Sequence, residues 1–369
     1  MTDPRVERLA GLVTGYSLDL KPGKTLRIDA ATPGLPLATE LYRAALRAGA
    51  FPYVNVELEN VTEILLDEGS EEQLTFIPPA AEAEIDALDA IATVWSEGNT
   101  RALTGTSPAR HQRLIAATRE LTNRRWARIS AGQMRWCGAL CPAPAHAQDA
   151  GMSLAEYERF VFRACHVEDG GDPVAHWRTR STELAAHAER LGRARELQIK
   201  GPGTDLRVTV EGRAWEAADG RYNMPDGEVY TSPVETETEG EISFSFPALF
   251  QGREVEGIHL RFEEGRVVAA EARRGSEFLE ALLDLDEGAR RLGEVAFGLN
   301  YEIDRFTSNT LFDEKIGGTM HVALGSAFRE LGGRNDSALH WDLVCDLRAD
   351  GEVHADDELI WKAGRFLEP

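Results

Sequence analysis

Two residues near the C-terminus, His340 and Asp342, have the types and spacing of a metal-binding pair. They lie in the segment 338–344, whose apolar content favours a buried strand. Residues two apart in a strand share a face, so an imidazole and a carboxylate would lie side by side. Zinc, cobalt and manganese accept this combination of nitrogen and oxygen ligands. His-x-Asp is a short pattern, and an ordinary strand with two polar residues at a water-facing edge also explains it, so the pair alone does not establish a metal site.

Three further residues could complete such a site. His321 lies inside the apolar run 320–324, and Glu228 directly follows a turn rich in Pro, Asp and Gly. Glu294 interrupts another apolar stretch, where an unpaired buried carboxylate would be costly. Each of the three also has an ordinary structural explanation. Together the five residues supply three carboxylates and two imidazoles, which is enough to hold two metal ions with positions left for water.

No other catalytic set in the sequence is comparably complete. The chain has neither a Gly-x-Ser-x-Gly elbow nor a His-Glu-x-x-His helix. Its four cysteines are widely and irregularly spaced, unlike the disulfide framework of a small secreted protein. Cys137 and Cys141 would share a helical face and could clip a zinc ion, but no second Cys or His pair follows at finger-like spacing. We therefore expect buried thiols.

The N-terminal half must provide an α/β scaffold, because strand-like and helix-like segments alternate along it. The segments are strand 26–29, helix 35–48, strand 51–56, strand 91–95, a helix near 108–122, and strand 126–129. This order predicts a mainly parallel sheet. No glycine-rich phosphate loop follows its strands, so we reject nucleotide binding as the function. A short helix over 4–16, capped by Asp3, is predicted to open the chain.

The C-terminal half has a different residue pattern, which predicts an α+β domain with a largely antiparallel sheet that carries the metal site. Alternating segments at 206–210, 241–246, 258–262 and 267–270 are separated by Gly and charged turns, and one helix is expected over 276–289. A Gly/Pro cluster at 201–203 separates the two halves of the chain. We place the boundary near residue 190, with an N-terminal domain over 1–190 and a catalytic domain over 191–369.

Composition excludes several classes of partner. The 369 residues include 62 acidic and 40 basic side chains, so the surface should repel nucleic acid and anionic membranes. The N-terminal stretch carries charge throughout and lacks a signal-peptide core, and no apolar run is long enough to span a bilayer. The sequence therefore predicts a soluble, cytoplasmic protein that contacts neither nucleic acid nor membrane.

At the five candidate ligands the sequence resembles the M29 metalloaminopeptidases, the thermophilic aminopeptidase or aminopeptidase T/S type, and the resemblance covers nearly the whole chain. Its motifs include Ala147-Gln148-Asp149-Ala150-Gly151-Met152-Ser153, Asn223-Met224-Pro225-Asp226-Gly227-Glu228-Val229, Gly293-Glu294-Val295-Ala296, His321-Val322-Ala323-Leu324-Gly325 and His340-Trp341-Asp342. The resemblance implies that the divalent ions (Zn, Co or Mn) bind to two glutamates, two histidines and an aspartate, which fall on Glu228, Glu294, His321, His340 and Asp342. It further implies that Glu294 is the general base or a bridging ligand.

The resemblance also supplies the substrate class and the oligomeric state. The resemblance implies a homodimer whose active sites face an internal cavity. Such a cavity would admit only short, unfolded peptides as substrates. One position departs from the family pattern: Phe328 occupies the place of a tyrosine that is thought to assist catalysis. Phenylalanine cannot donate a hydrogen bond. Tyr222, Tyr230 and Arg305 are available as substitutes.

Two alternative functions stay open at this point. A homologue that retains its metal but is catalytically weak could serve as a peptide-binding or structural protein, and Phe328 is the residue that favours it. A di-metal amidase or carboxypeptidase would use the same ligands on a different bond. The aminopeptidase interpretation differs from both in requiring a free amino terminus on the substrate.

Overall fold

The fold was obtained as a computed structural model, which describes residues 3–168 and 170–368. The helices are α1 (Pro4–Leu12), α2 (Leu35–Arg47), α3 (Val61–Glu68), α4 (Glu71–Leu74), α5 (Pro79–Ala87), α6 (Pro108–Ser130), α7 (Pro144–Asp149), α8 (Leu154–Ala164), α9 (Pro173–Leu191), α10 (Ser276–Leu283) and α11 (Thr310–Asp313). The strands are β1 (Thr25–Ala31), β2 (Phe51–Glu57), β3 (Ala90–Trp95), β4 (Arg135–Leu140), β5 (Glu196–Gly201), β6 (Thr204–Thr209), β7 (Glu216–Ala218), β8 (Asn223–Met224), β9 (Glu228–Thr231), β10 (Thr238–Ser243), β11 (Ala248–Phe250), β12 (Arg253–Val255), β13 (His259–Glu263), β14 (Arg266–Glu271), β15 (Leu292–Gly298), β16 (Thr319–Gly325), β17 (His340–Asp346), β18 (Glu352–Ala355), β19 (Glu358–Lys362) and β20 (Arg365–Phe366).

The chain forms two compact units. The first unit contains Met1–His176 and Gly220–Pro225, and the second unit contains Trp177–Asp219 and Asp226–Pro369. The predicted boundary near residue 190 lies at the C-terminal end of α9, most of which belongs to the second unit. Within the described residues, no helix has the length and apolar content needed to cross a membrane.

The first unit is built around a parallel sheet, as the alternation of segments predicts. Its strand order is β2-β1-β3-β4-β8, and every pairing in it is parallel. The predicted strand over 126–129 is wrong: these residues continue α6 to Ser130, and the strand that joins the sheet is β4. Neither Gly nor Pro interrupts the chain between Thr122 and Ala131, so the helix runs on until Ala131 and Gly132 end it.

Two smaller predictions about helices also need correction. The side chain of Asp3 caps α1 as expected, but the α-helix ends at Leu12 and a π-helical turn, Val13–Ser17, completes the segment. Likewise α10 ends at Leu283, and a separate 3-10 helix, Glu287–Arg290, follows it. Asp286 starts that second helix because its carboxylate accepts a hydrogen bond from Ala289 N at 2.9 Å.

The cysteines do not form a zinc clip on a helix. Cys137 lies in β4 and Cys141 follows that strand, so the helical spacing on which such a clip depends is missing. All four cysteines are buried and none is in a disulfide. Burial raises the pKa of the Cys141 thiol to about 11 and that of Cys345 to about 12, so both thiols stay protonated at neutral pH.

The described part of the second unit contains two large antiparallel sheets around one apolar core, and β11 and β12 form a separate two-stranded sheet. One sheet has the order β14-β13-β10-β6-β5-β18-β19-β20. The other, which we call the site sheet, has the order β17-β16-β15-β9-β7, and all its pairings are antiparallel. Alternate residues of the site sheet belong to the buried core: Val229, Val295, Phe297, Met320, Val322, Leu324, Trp341 and Leu343. Its opposite face is therefore available for polar side chains.

One irregularity in β15 decides which way Glu294 faces. Leu292 pairs with Leu324 and Glu294 pairs with Ala323, so Gly293 is an extra residue in the strand. This β-bulge reverses the alternation, and without it Glu294 would share the core-facing side of Leu292. Gly293 is required because a Cβ atom there would lie 2.1 Å from the carbonyl oxygen of Ser326.

Candidate metal centre

The structure brings all five predicted ligands to one face of the site sheet. Glu228 is at the start of β9, Glu294 is in β15, and His321 is in β16. His340 and Asp342 are on β17 and share a face, as their spacing predicts.

The residues between these ligands are small. Each ligand has a glycine or alanine directly opposite on a neighbouring strand: Glu228 faces Gly298, His321 faces Ala296, Glu294 and Asp342 face Ala323, and His340 faces Gly325. Neighbours with at most a methyl group leave room above the sheet between the polar side chains. That room is what bound ions would need.

Glu294 lies at the centre of the cluster, with each carboxylate oxygen near a different histidine. Its Oε1 is 3.4 Å from His321 Nε2, and its Oε2 is 3.3 Å from His340 Nε2. Glu228 Oε2 lies 3.7 Å from His321 Nε2, and Asp342 Oδ1 lies 3.6 Å from His340 Nε2. The ligands thus form two overlapping groups, one with Glu228 and His321 and one with His340 and Asp342, which share Glu294.

Both histidines are held in the tautomer that a metal requires. Nδ1 of His321 donates to the carbonyl oxygen of Glu314 at 3.0 Å, and Nδ1 of His340 donates to that of Ser326 at 3.0 Å. A carbonyl can only accept, so the proton of each neutral ring is on Nδ1. In that neutral form the lone pair of each Nε2 is on the side of the carboxylates, where a metal ion would bind. A backbone carbonyl behind each ligating imidazole is the usual support of a protein metal site.

The carboxylates also fit a bound cation. Glu228 Oε2 and Asp342 Oδ1 are buried and have no hydrogen-bond partner among the described residues. A buried carboxylate oxygen left without a partner is costly, and a metal ion would relieve that cost. Three carboxylates and two imidazoles are oxygen and nitrogen donors of the kind that zinc, cobalt and manganese accept.

The pKa shifts of the cluster also favour cation binding. Burial disfavours the imidazolium form, yet the Glu294 carboxylate dominates and raises the pKa of His321 and of His340 to about 10. Burial would raise the pKa of Glu294, but the two imidazoles lower it to about 2. The cluster therefore attracts positive charge strongly, and divalent cations would replace the protons on the two rings.

A buried lysine, which the sequence analysis missed, stands behind Glu228. Lys315 is fully buried, and its Nζ lies 3.3 Å from Glu228 Oε1 and 3.9 Å from Asp226 Oδ1, and also pairs with the Glu314 carboxylate. Burial lowers the pKa of Lys315, but these three carboxylates more than offset it and keep the ammonium charged. Lys315 thus holds one oxygen of Glu228 and leaves the other directed at His321.

Phe328 contacts the site through its ring. It packs edge-on against His340 with ring centroids 5.5 Å apart, and against Tyr230 at 5.1 Å. Its backbone N–H donates to Ser232 Oγ at 2.8 Å, and that hydroxyl donates to the carbonyl oxygen of Gly293 at 2.7 Å. Phe328 is therefore fixed to the residue that precedes Glu294.

The three residues proposed as substitutes for the missing hydroxyl are not equivalent. Tyr230 is on the ligand face of the site sheet, two residues after Glu228. Burial first, and then the charges of Glu216, Glu294 and Glu228, raise the pKa of Tyr230, so its phenol stays protonated. Tyr222 belongs to the first unit, and Arg305 is exposed beside Asp304.

Asp286 is a second supporting residue that the sequence analysis missed. Besides capping the 3-10 helix, its carboxylate accepts hydrogen bonds from Ser337 Oγ and Ala338 N, each at 2.8 Å. It therefore ties down the segment that leads directly into His340. The sequence offers one signal for the capping role. Aspartate is a favoured N-cap residue, and its carboxylate accepts from the N–H three positions later, which here belongs to Ala289.

Replacing Asp286 by alanine should destabilise the protein by about 1–2 kcal/mol, the usual cost of losing a helix cap. Burial raises the pKa of Asp286, but its hydrogen bonds outweigh that effect and hold the pKa below the usual value. A lowered pKa in the folded state means that the stabilisation is complete above the unfolded aspartate pKa of about 4 and is lost as the pH falls through the folded value.

Urea unfolding of the wild type and of Asp286→Ala at a series of pH values will measure this difference. It should be constant above about pH 5 and shrink in more acidic solution. The control is Asp284→Asn, which alters an exposed carboxylate paired with Arg290 at 2.8 Å. A surface ion pair of this kind contributes at most about 1 kcal/mol. Equal losses for both variants would contradict the role given to Asp286.

Comparison with known proteins identifies the family of this site. The model for the thermophilic metalloprotease family M29 matches residues 2–366. The chain is 32% identical to aminopeptidase T of Thermus thermophilus, covering 88% of this chain and 85% of the relative, and 29% identical to aminopeptidase 2 of Geobacillus stearothermophilus, covering 99% and 98%. The solved structure of wild-type AmpT from Thermus thermophilus superposes with a TM-score of 0.86 at 29% identity over 99% of both chains.

These matches confirm the predicted fold class and the family resemblance. The named relatives are aminopeptidases, and the match to the metalloprotease model extends over both halves of the chain. Divalent-metal chemistry follows from the family, and the two overlapping ligand groups are the candidates for it in the described residues. The chain is a peptidase, and it belongs to the thermophilic metalloprotease family M29.

Proposed function

We propose that this peptidase is an aminopeptidase that removes N-terminal residues from short peptides with two divalent ions. The observation that carries the proposal is the position of Glu294 between two imidazoles, with one carboxylate oxygen 3.4 Å from His321 and the other 3.3 Å from His340. A carboxylate placed in this way is suited to bridge two ions. Two divalent ions held there would lower the pKa of a shared water towards neutrality and polarise the scissile carbonyl.

The roles of the protein groups follow from their positions. Glu228 and His321 would hold one ion, His340 and Asp342 would hold the other, and Glu294 would contact both. Since both oxygens of Glu294 point at imidazole nitrogens, we assign it the bridging role rather than that of general base. The donor set supports zinc, cobalt or manganese.

The relatives and the donor chemistry of the site support selection of a free amino terminus. The named relatives are aminopeptidases. Two divalent ions would offset the negative charge of the carboxylates around Lys315, so charge alone does not select an ammonium group. A free amine could instead bind a divalent ion through its nitrogen lone pair, which an acylated amine does not offer. We therefore expect a free N-terminus to be required.

The experiment compares one dipeptide in three forms: unmodified, acetylated at its amino terminus, and amidated at its carboxyl terminus. Protein stripped with a chelator and then reloaded with zinc, cobalt or manganese should hydrolyse the unmodified and amidated forms but not the acetylated one. Hydrolysis of the acetylated form alone would indicate an amidase. A requirement for a free carboxylate would indicate a carboxypeptidase. Full metal loading without turnover would favour a catalytically weak peptide-binding homologue, which Phe328 suggested.

We also propose a homodimer, supported by strand β2 at one edge of the parallel sheet. Its apolar side chains are unusually exposed: Phe51 is 65% accessible and Val56 is 45% accessible. Leu58, just beyond the strand, is 61% accessible. An exposed, apolar edge strand is a template for pairing with another strand, and two copies related by a two-fold axis would pair β2 with β2.

Val56→Lys should therefore convert the dimer to a monomer, because an edge lysine opposes strand pairing. Light scattering coupled to size-exclusion chromatography will measure the mass. The control is Val268→Lys, which places the same charge at an exposed valine of β14 and should leave the mass unchanged. A wild type that is monomeric, or a Val56→Lys variant that keeps the mass of the dimeric wild type, would contradict the proposal.

A further inference from the structure

The hydrolysis proposed above would be assisted by a hydrogen-bond donor for the carbonyl oxygen, which gains negative charge in the transition state. Several donors beside the ligands are already committed. Lys315 is enclosed by three carboxylates. The Ser232 hydroxyl donates to Gly293 O at 2.7 Å, and the Thr319 hydroxyl donates to Ile316 O at 2.9 Å. None of these three is available to a substrate.

Tyr230 is differently placed. It shares the ligand face of the site sheet with Glu228, and the residue opposite it on β15 is Ala296, whose methyl group does not cover the ring. Ala296 also lies opposite His321, so Tyr230 and His321 flank the same small residue on neighbouring strands. The Tyr230 hydroxyl makes no hydrogen bond to any described residue, and the side chain is only partly buried.

We propose that the Tyr230 hydroxyl donates the hydrogen bond that stabilises the oxyanion of the scissile carbonyl, and so supplies the function that Phe328 cannot perform. The inference rests on the proposed peptide hydrolysis. No proton is transferred in this step: the phenol O–H stays intact and points at the carbonyl oxygen as its negative charge develops. A neutral donor suits this position, because it can approach the carboxylates without itself becoming charged.

The contact between Tyr230 and Phe328 gives the proposal a reciprocal test. The two rings meet edge to face at 5.1 Å, and Phe328 continues the contact to His340 at 5.5 Å. Two adjoining rings border the site, and one of them carries a hydroxyl. Moving the hydroxyl from one ring to the other changes the donor's origin while conserving the number of atoms in the cluster.

The experiment compares the holoenzyme with Tyr230→Phe, Phe328→Tyr and the double exchange Tyr230→Phe/Phe328→Tyr on the unmodified dipeptide. Tyr230→Phe should lower kcat by about 100-fold or more, the usual effect of removing one oxyanion donor, with little change in KM. The double exchange should recover at least about tenfold of that loss. Tyr301→Phe is the matched control, because its hydroxyl is already committed to Gly364 O at 2.9 Å, and it should keep the wild-type kcat.

Two measurements besides turnover separate a donor from a structural residue. Metal content and thermal midpoint should be the same in the wild type and in Tyr230→Phe. Calorimetric binding of a phosphinic dipeptide analogue, whose tetrahedral oxygen mimics the oxyanion, should weaken by about the same factor as kcat/KM. Wild-type kcat in Tyr230→Phe would overturn the proposal, and so would a loss of activity that accompanies loss of metal. Absence of turnover in the wild type would instead overturn the proposed hydrolysis, and the analogue would still test Tyr230.

Discussion

Replacing Glu294 by glutamine should abolish activity and empty both ion positions. Glutamine has nearly the same shape, so the buried strand is preserved, but it is uncharged and only its single carbonyl oxygen can ligate a metal, so it cannot serve both ligand groups. Because the two oxygens of Glu294 approach His321 and His340 separately, one substitution affects both ligand groups. We expect kcat/KM to fall on the order of 10⁴-fold, the scale on which an essential catalytic group acts. Metal analysis after equilibrium dialysis and a dipeptide assay will measure both effects.

Single-histidine variants test whether the two ligand groups bind ions separately. His321→Ala removes a ligand of one group and His340→Ala removes a ligand of the other, so each should leave one ion bound. Glu352→Gln is the control, since it makes the same chemical change in the eight-stranded sheet, where Glu352 pairs with Lys362 at 2.8 Å. Normal metal content in Glu294→Gln would rule out the bridging role.

Replacing Lys315 by methionine should destabilise the protein by about 3–5 kcal/mol, because it leaves buried carboxylates without their cation. Lys315 is fully buried among Asp226, Glu228 and Glu314, so water cannot replace its charge. Methionine fills a similar volume, which limits the effect to the lost charge. Urea unfolding of the chelated protein will measure the loss, and added zinc should reduce it, because bound cations also neutralise Glu228.

The matched control for this prediction is Lys362→Met. Lys362 makes an ion pair with Glu352 at 2.8 Å, but more than half of its side chain is exposed. Solvent screens such a pair, so its loss should cost less than about 1 kcal/mol. Similar losses for the two lysine variants would show that the cluster around Lys315 does not depend on its charge.

The sequence predicted some ligand positions for reasons that the structure explains. The face shared by His340 and Asp342 follows from the two-residue period of a strand, and β17 is regular there. Glu294 could not be oriented in this way. A regular strand would place it beside Leu292 in the core, and only the bulge at Gly293 turns it to the site. Family resemblance identified Glu294, whereas periodicity alone would have misplaced it.

Charged segments are a second feature whose burial could not be predicted from the sequence. Asp313, Glu314 and Lys315 follow one another, which is typical of a solvated turn. The structure buries Asp313 and Lys315, and the Glu314 carbonyl supports His321. Lys315 reaches Asp226 and Glu228, which are distant from it in sequence, so no local pattern reveals these contacts. Similarly, the extension of α6 to Ser130 depends on a stop that comes only at Ala131, after the predicted strand.

The most direct test of the two-ion account is a cobalt titration of the chelator-treated wild type, followed both by calorimetry and by release of the N-terminal residue from the unmodified dipeptide. We predict two bound ions per chain, with full activity only after the second has bound. The ions should be lost together in Glu294→Gln. Activity that survives complete removal of metal, or binding that saturates at a single ion per chain, would contradict the account.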